Sequence, residues 1–124
     1  LGALYVSDPK YKTDMFLGIG GGPEGVLAAS ALDAFDCHFQ GRFIFDNDKN
    51  IDEAKQIGIT DLNKKYELNQ IVKGDSIFCA TGITSSDVLS GIEINDNNYT
   101  SETLVTHKNS NFKEILKKTN HINE

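Results

Sequence analysis

One stretch holds the residues best able to do chemistry: Gly18-Ile19-Gly20-Gly21-Gly22-Pro23-Glu24-Gly25, running on into Val26-Leu27-Ala28-Ala29-Ser30-Ala31-Leu32. An apolar run (Met15, Phe16, Leu17) feeds a glycine turn that opens into an alanine-rich helix. Such a junction leaves backbone N–H groups bare at a helix start, a ready site for an anion. Glu24 complicates that reading, because a carboxylate where a phosphate binds repels it. At an effective dielectric of ~20, two like charges 4 Å apart cost roughly 4 kcal/mol. A cation between them removes the conflict, so the turn reads as a metal-assisted phosphate site. Glu24 also suits the positive end of its helix, worth about 0.3–1 kcal/mol without any ligand.

The same turn matches a second pattern. Gly20-x-Gly22-x-x-Gly25 fits the dinucleotide-binding fingerprint, and Asp46 falls at about the ~20-residue spacing of a ribose ligand. A Rossmann-like nucleotide-binding or regulatory module is therefore the alternative. Pro23 removes one donor near the pyrophosphate, and Glu24 repels it, so the metal reading leads.

Other candidates are weaker. Arg42 suits a phosphate, but a structural salt bridge is the leading reading for it. Asp46, Asp48 and Asp52 form a loose acidic cluster that reads as a solvated loop and helix start. Thr81 and Thr84 flank Gly82 at a strand end, where ligands bind in α/β sheets. His38, His107 and His121 have no shared spacing and no evident acidic partner, so they read as structural or exposed.

The elements that must place these groups follow from pattern. Residues 14–20 read as a buried strand. The helix after it starts with Gly22 as N-cap and Pro23 in its first turn. A second strand covers Arg42-Phe43-Ile44-Phe45, and Asn50-x-x-Glu53 resembles a capping box, with Ile51, Ala54 and Ile57 on one face and Gly58 at the end. Residues 75–81 form a buried strand. Ile92 to Asn95 and Tyr99 to His107 form a hairpin around Asp96-Asn97-Asn98. Phe112, Ile115 and Leu116 mark a short amphipathic terminal helix, and the last few residues read as frayed. The alternation predicts an α/β fold, a layered sheet with helices on both faces.

Bulk properties set the class. The 124 residues form one domain, with 39% apolar content and a net charge of −6, which disfavours nucleic acid. Cys37 and Cys79 read as reduced, buried thiols of a cytosolic protein. Leu1-Gly2-Ala3-Leu4 reads as the middle of an element, so a piece of a longer polypeptide is expected.

Residues 14–32, from Asp14 through Gly-Gly-Gly-Pro-Glu-Gly to Leu32, resemble the signature of the GlpX-type, class II bacterial fructose-1,6-bisphosphatases. The resemblance continues through Gln40-Gly41-Arg42, Asp52-Glu53-Ala54, Gly58-Ile59, Leu68, Val72-Lys73-Gly74-Asp75, Phe78-x-Ala80-Thr81-Gly82-Ile83-Thr84 and Leu89-x-Gly91, in one collinear register. It implies a carbohydrate-phosphatase-like layered fold and hydrolysis of the 1-phosphate of a sugar bisphosphate in the cytoplasm, with Mg2+ or Mn2+. It also implies Glu24 as a metal ligand and Gly21 as a backbone contact to substrate, with no further catalytic residue in this stretch. The family has alanine where this chain has Gly22, and arginine where His107 aligns, so no role passes to His107. The family's other acidic ligands and its Asp-Gly-Asp motif precede the region seen here. A C-terminal portion is therefore expected, inactive alone, partnered by an amino-terminal domain and by further copies of itself.

Overall fold

A computed structural model describes residues 1–122; Asn123 and Glu124 lie outside the described residues, and the expectation of fraying at the chain's end falls largely on them. Two 3-10 helices, Gly2–Ser7 and Pro9–Tyr11, begin the chain. They lead into helix α1, Gly22–Ala34. The rest comprises β1 (Gln40–Arg42), α2 (Asp48–Gln56), β2 (Lys65–Glu67), α3 (Leu68–Ile71), β3 (Ile77–Thr81), β4 (Glu93–Asn95), β5 (Asn98–His107) and β6 (Phe112–His121). Helices and sheets mix in a layered α/β arrangement, as the sequence pattern predicts.

The strands form two sheets, and every pairing among the described residues is antiparallel. β1 and β2 make a two-stranded ribbon, in which Gln40 Nε2 donates to Glu67 Oε1 at 2.6 Å. The larger sheet is built on β5. β6 pairs along its whole length, while β3 (against residues 103–107) and β4 (against 98–100) share its other edge. The hairpin predicted around residues 96–98 is present, with Asp96 at φ 49° in its turn.

Four expectations are corrected. Residues 14–20 form no strand: Met15, Leu17 and Ile19 are 71%, 82% and 88% exposed. An apolar run supplies side chains for a strand, but an extended backbone also needs a neighbour to accept its hydrogen bonds. Among the described residues none lies beside it. The second strand stops at Arg42, where its ribbon partner β2 begins at Lys65, so residues 43–45 are unpaired. α2 is capped by Asn47, whose side chain accepts from the Asn50 N–H at 2.9 Å, three residues before the box read from sequence. Finally, residues 112–118 are strand rather than helix. Phe112, Ile115 and Leu116 do show helical spacing, but β5 lies one short turn away (Asn111 φ 52°) and offers ten paired residues.

The core is small. Leu4, Ala31, Leu32, Leu89 and Leu104 form its centre, flanked by Val6, Phe35, Leu68 and Phe78. α1 is apolar almost all round, yet only its C-terminal half is buried, through Ala29, Ala31, Leu32 and Ala34. Val26 and Leu27 stay about half exposed. The chain exposes 9005 Å2, where a compact monomer of its mass exposes about 6,600 Å2. The surplus of about 2,400 Å2 is on the scale of an obligate interface.

Glu102 ties β5 to the loop after β3. Its Oε2 accepts from the Ser90 N–H at 2.8 Å, its carbonyl accepts from the Gly82 N–H, and Lys117 lies 3.9 Å from Oε1. The Ser90 N–H, aided by Lys117, holds the Glu102 carboxyl below its ordinary value against the opposing effect of desolvation. The loop itself is closely wound: a Cβ on Gly82 would overlap the Ser90 carbonyl oxygen.

Two outcomes follow. Leu89, 1% exposed, leaves a void when truncated, so Leu89→Ala lowers stability by about 2–5 kcal/mol in urea unfolding, and Leu89→Met by less than about 1.5 kcal/mol. A depressed folded pKa gives stability that is full above the ordinary carboxylate range and lost as pH falls through the folded value. Glu102→Gln is therefore less stable than the parent near neutrality, and the urea midpoints converge as pH falls through the depressed folded value.

Candidate functional site

Helix α1 starts where the sequence places it, within one residue. Gly21 is the N-cap (φ −68°, ψ 158°), Gly22 the first helical residue, and Pro23 occupies the second position, where no intrahelical N–H is needed. Glu24 is third. The Gly25 N–H bonds to the Gly21 carbonyl at 3.1 Å, so the first-turn donors left over are those of Gly21, Gly22 and Glu24. These groups face solvent on the exposed end of the helix.

The Glu24 side chain folds back over the N-cap. A Cβ built on Gly21 would overlap Glu24 Oε2, so the carboxylate lies in the space that glycine leaves at this position. Gly20, Gly22 and Gly25 behave differently. A Cβ at any of them meets nothing within 4 Å, and none has positive φ. Neither conformation nor packing within this chain requires glycine there, and the space above the turn is open.

One carboxylate supplies one donor of the roughly six oxygens that Mg2+ or Mn2+ takes. Among the described residues no group of three or more His, Cys, Asp or Glu comes together. By its chemistry Glu24 could offer a divalent ion one hard-oxygen ligand, and among the described residues no further acidic cluster stands beside it.

The other candidates do not gather around it. Arg42 is exposed on β1 opposite Lys65, and forms no ion pair among the described residues, so the expected salt bridge is not made there. Asp46, Asp48 and Asp52 are exposed before, at the first residue of and midway along α2. Thr81 Oγ1 pairs with Thr103 Oγ1 at 2.8 Å, and Thr84 lies exposed in the following loop. His38 is exposed and His121 ends β6. Cys37 is partly covered, its thiol pushed up by burial and by Asp36. Cys79 is exposed, contrary to the sequence reading, because among the described residues no layer covers its side of β3.

The dinucleotide fingerprint loses its context. It requires a strand before the glycines and a parallel βαβ unit, and the described residues offer neither.

Sequence reasoning missed one polar chain. His107 Nε2 lies 2.7 Å from Asp75 Oδ1, and its Nδ1 lies 2.7 Å from Ser110 Oγ. The signal was indirect: residue 107 pairs with Ile77 across β3 and β5, which brings Asp75 alongside, and Ser110 follows three residues on in the turn. The chain fastens the β5–β6 turn to the start of β3. An open groove of about 400 Å3 near Asp33, Asp36, Cys37 and His38 sits beyond the opposite end of α1. Its acids are answered by Lys108, 2.7 Å from Asp33 and 3.6 Å from Asp36.

The family model for "Bacterial fructose-1,6-bisphosphatase, glpX-encoded" matches residues 1–120. This chain belongs to that family. Among similar proteins is a D-fructose 1,6-bisphosphatase class 2/sedoheptulose 1,7-bisphosphatase of Prochlorococcus marinus (strain MIT 9515), 35% identical over 95 residues, covering 65% of this chain and 28% of that protein. A protein of the same name from Thermosynechococcus vestitus is 36% identical over 90 residues, covering 61% of this chain and 26% of its own length. The chain spans about a quarter of the length of the relatives it matches.

Because the glycines at 20 and 22 are not needed for packing, alanine is tolerated there. Gly20→Ala and Gly22→Ala leave the urea midpoint unchanged, or raise stability by up to about 1 kcal/mol by narrowing the unfolded ensemble. A loss above that margin would show a contact the open turn does not reveal.

Proposed function

We propose that this chain forms one wall of the active site of a metal-dependent sugar-bisphosphate 1-phosphatase that acts on fructose 1,6-bisphosphate in the cytoplasm. The observation that carries the reading is the Glu24 carboxylate held over the Gly21 cap, beside glycines that the chain itself does not need. Family membership and the names of the relatives support the same chemistry. No helix among the described residues is long and apolar enough to cross a membrane.

In this reading Glu24 offers an oxygen to Mg2+ or Mn2+, and the Gly21 backbone contacts a phosphate oxygen of the substrate. A bound divalent cation supplies charge neutralisation for the phosphate and favours attack by water. The chain's own contribution is positional. The free N–H groups of Gly21 and Gly22 donate to oxygens lying above the turn, and the glycines let the substrate approach the backbone closely. The further acidic ligands come from an amino-terminal domain of the same enzyme, so the 124 residues alone are inactive. The surplus exposed area, the exposed run Met15–Ile19 and the outward Val26 and Leu27 fit a surface that such a domain covers.

Glu24→Gln in the full-length enzyme keeps size and hydrogen bonding but loses the charge. Turnover of fructose 1,6-bisphosphate with Mn2+ falls by about two to three orders of magnitude, while circular dichroism stays at the parental value and stability falls by no more than the helix-end contribution of about 0.3–1 kcal/mol. Parental rates in this variant would remove Glu24 from the metal.

A further inference from the structure

β6 is the outer strand of the larger sheet and, among the described residues, it pairs with β5 alone. Its second edge carries unpaired N–H and C=O groups over ten residues, about 33 Å of extended backbone. Ile115 and Leu116 at its centre are 47% and 46% exposed. The register with β5 sets Phe112, Glu114, Leu116, Lys118 and Asn120 on one face, opposite His107, Val105, Thr103, Ser101 and Tyr99. Read along the strand, that face runs apolar, acidic, apolar, basic, polar. Its three central positions, Glu114, Leu116 and Lys118, are complementary to their own reverse about Leu116.

We propose that β6 pairs antiparallel with β6 of a second copy of this chain, about a two-fold axis at Leu116. Two four-stranded sheets then become one continuous sheet. A two-fold that sets two antiparallel strands side by side keeps each face of both sheets on its own side, so only residues of like face stand opposite one another. One-residue slips are thereby excluded. A two-residue slip in one direction opposes Lys113 with Lys117, and in the other Lys117 with itself, both unfavourable. The Leu116-centred register opposes no like charges. It sets Glu114 against Lys118 twice, Leu116 against Leu116, Lys113 against Thr119 and Lys117 against Ile115. Lys117 is already engaged by Glu102 within its own sheet, whereas Glu114 and Lys118 form no ion pair among the described residues. Three lysines on an open edge normally discourage pairing; here they also disfavour the two registers on either side of the Leu116-centred one.

The test uses the full-length protein, with association followed by sedimentation and light scattering. Glu114→Lys and Lys118→Glu each turn both cross-strand attractions into repulsions and weaken association by about tenfold or more. Mixing the two variants in equal amounts restores it, because each supplies the charges the other lacks. Opposed residues in an antiparallel pair have Cα atoms about 4.5–5.5 Å apart, within disulfide range, so Leu116→Cys cross-links two copies on mild oxidation. Glu114→Cys, displaced from its twin by several residues, cross-links no more than the parent chain with Cys37 and Cys79. A parent protein that sediments as one copy would overturn the proposal. So would charge variants that associate as the parent does, or a Leu116→Cys protein that fails to cross-link.

Discussion

Everything proposed for the glycine turn depends on α1 being anchored at one end. Its C-terminal half is wedged between Leu4, Leu89 and Leu104 through Ala31 and Leu32, and Asp33 takes the Lys108 ammonium at 2.7 Å. The N-terminal half projects from that anchor with Val26 and Leu27 uncovered. At 1.5 Å per residue, Glu24 stands about 10 Å from the nearest fully seated turn. The small alanines matter here, because they let the helix lie close to the core without large side chains setting its distance. The position of the carboxylate is thus set by packing at the far end of its helix.

What could be read from the chain alone divides along a physical line. Elements whose stability is local were legible: α1 from its glycine, proline and alanine content, α2 with its Gly58 stop at φ 90°, and the β4–β5 hairpin from its Asp-Asn turn. Elements decided by a distant partner were not. Residues 14–20 have the composition of a strand but no neighbour, and Phe112–His121 has the spacing of a helix but a ten-residue strand beside it. The site shows the same division. Gly21 and Glu24 are adjacent through one turn of helix and were visible as a motif. Asp75 and His107 meet only through the register of β3 on β5, and Cys79 is exposed because its sheet face has no cover among the described residues.

Those exposed features share a cause. The buried apolar set is short for a chain of this length, while Met15, Leu17, Ile19, Ile77 and Ile94 all stand out in solvent. Single exposed apolar residues are ordinary, but a sustained excess marks surface meant for contact. The two open regions differ in kind. The stretch before α1 and the first turns of the helix offer side chains without organised backbone donors. The β6 edge offers backbone donors and acceptors at fixed spacing. The first suits coverage by another packed domain, and the second suits addition of a strand.

The sign of the charge at the turn decides which ligand meets it. A helix N-terminus carries roughly +0.5 of an elementary charge, enough to hold an anion when nothing opposes it. Glu24 places a full negative charge at that same end, folded back over the cap, and Pro23 deletes one of the donors. The balance is negative by about half a charge, on a chain whose net charge is −6. A phosphate arriving alone is therefore repelled, while a cation is drawn in. The N–H groups of Gly21 and Gly22 remain available to phosphate oxygens only once the Glu24 charge is compensated. A plain phosphate cradle would omit the carboxylate, and a plain cation site would have no use for the glycines. Their combination at one helix start is intelligible when a cation and a phosphorylated substrate occupy the turn together.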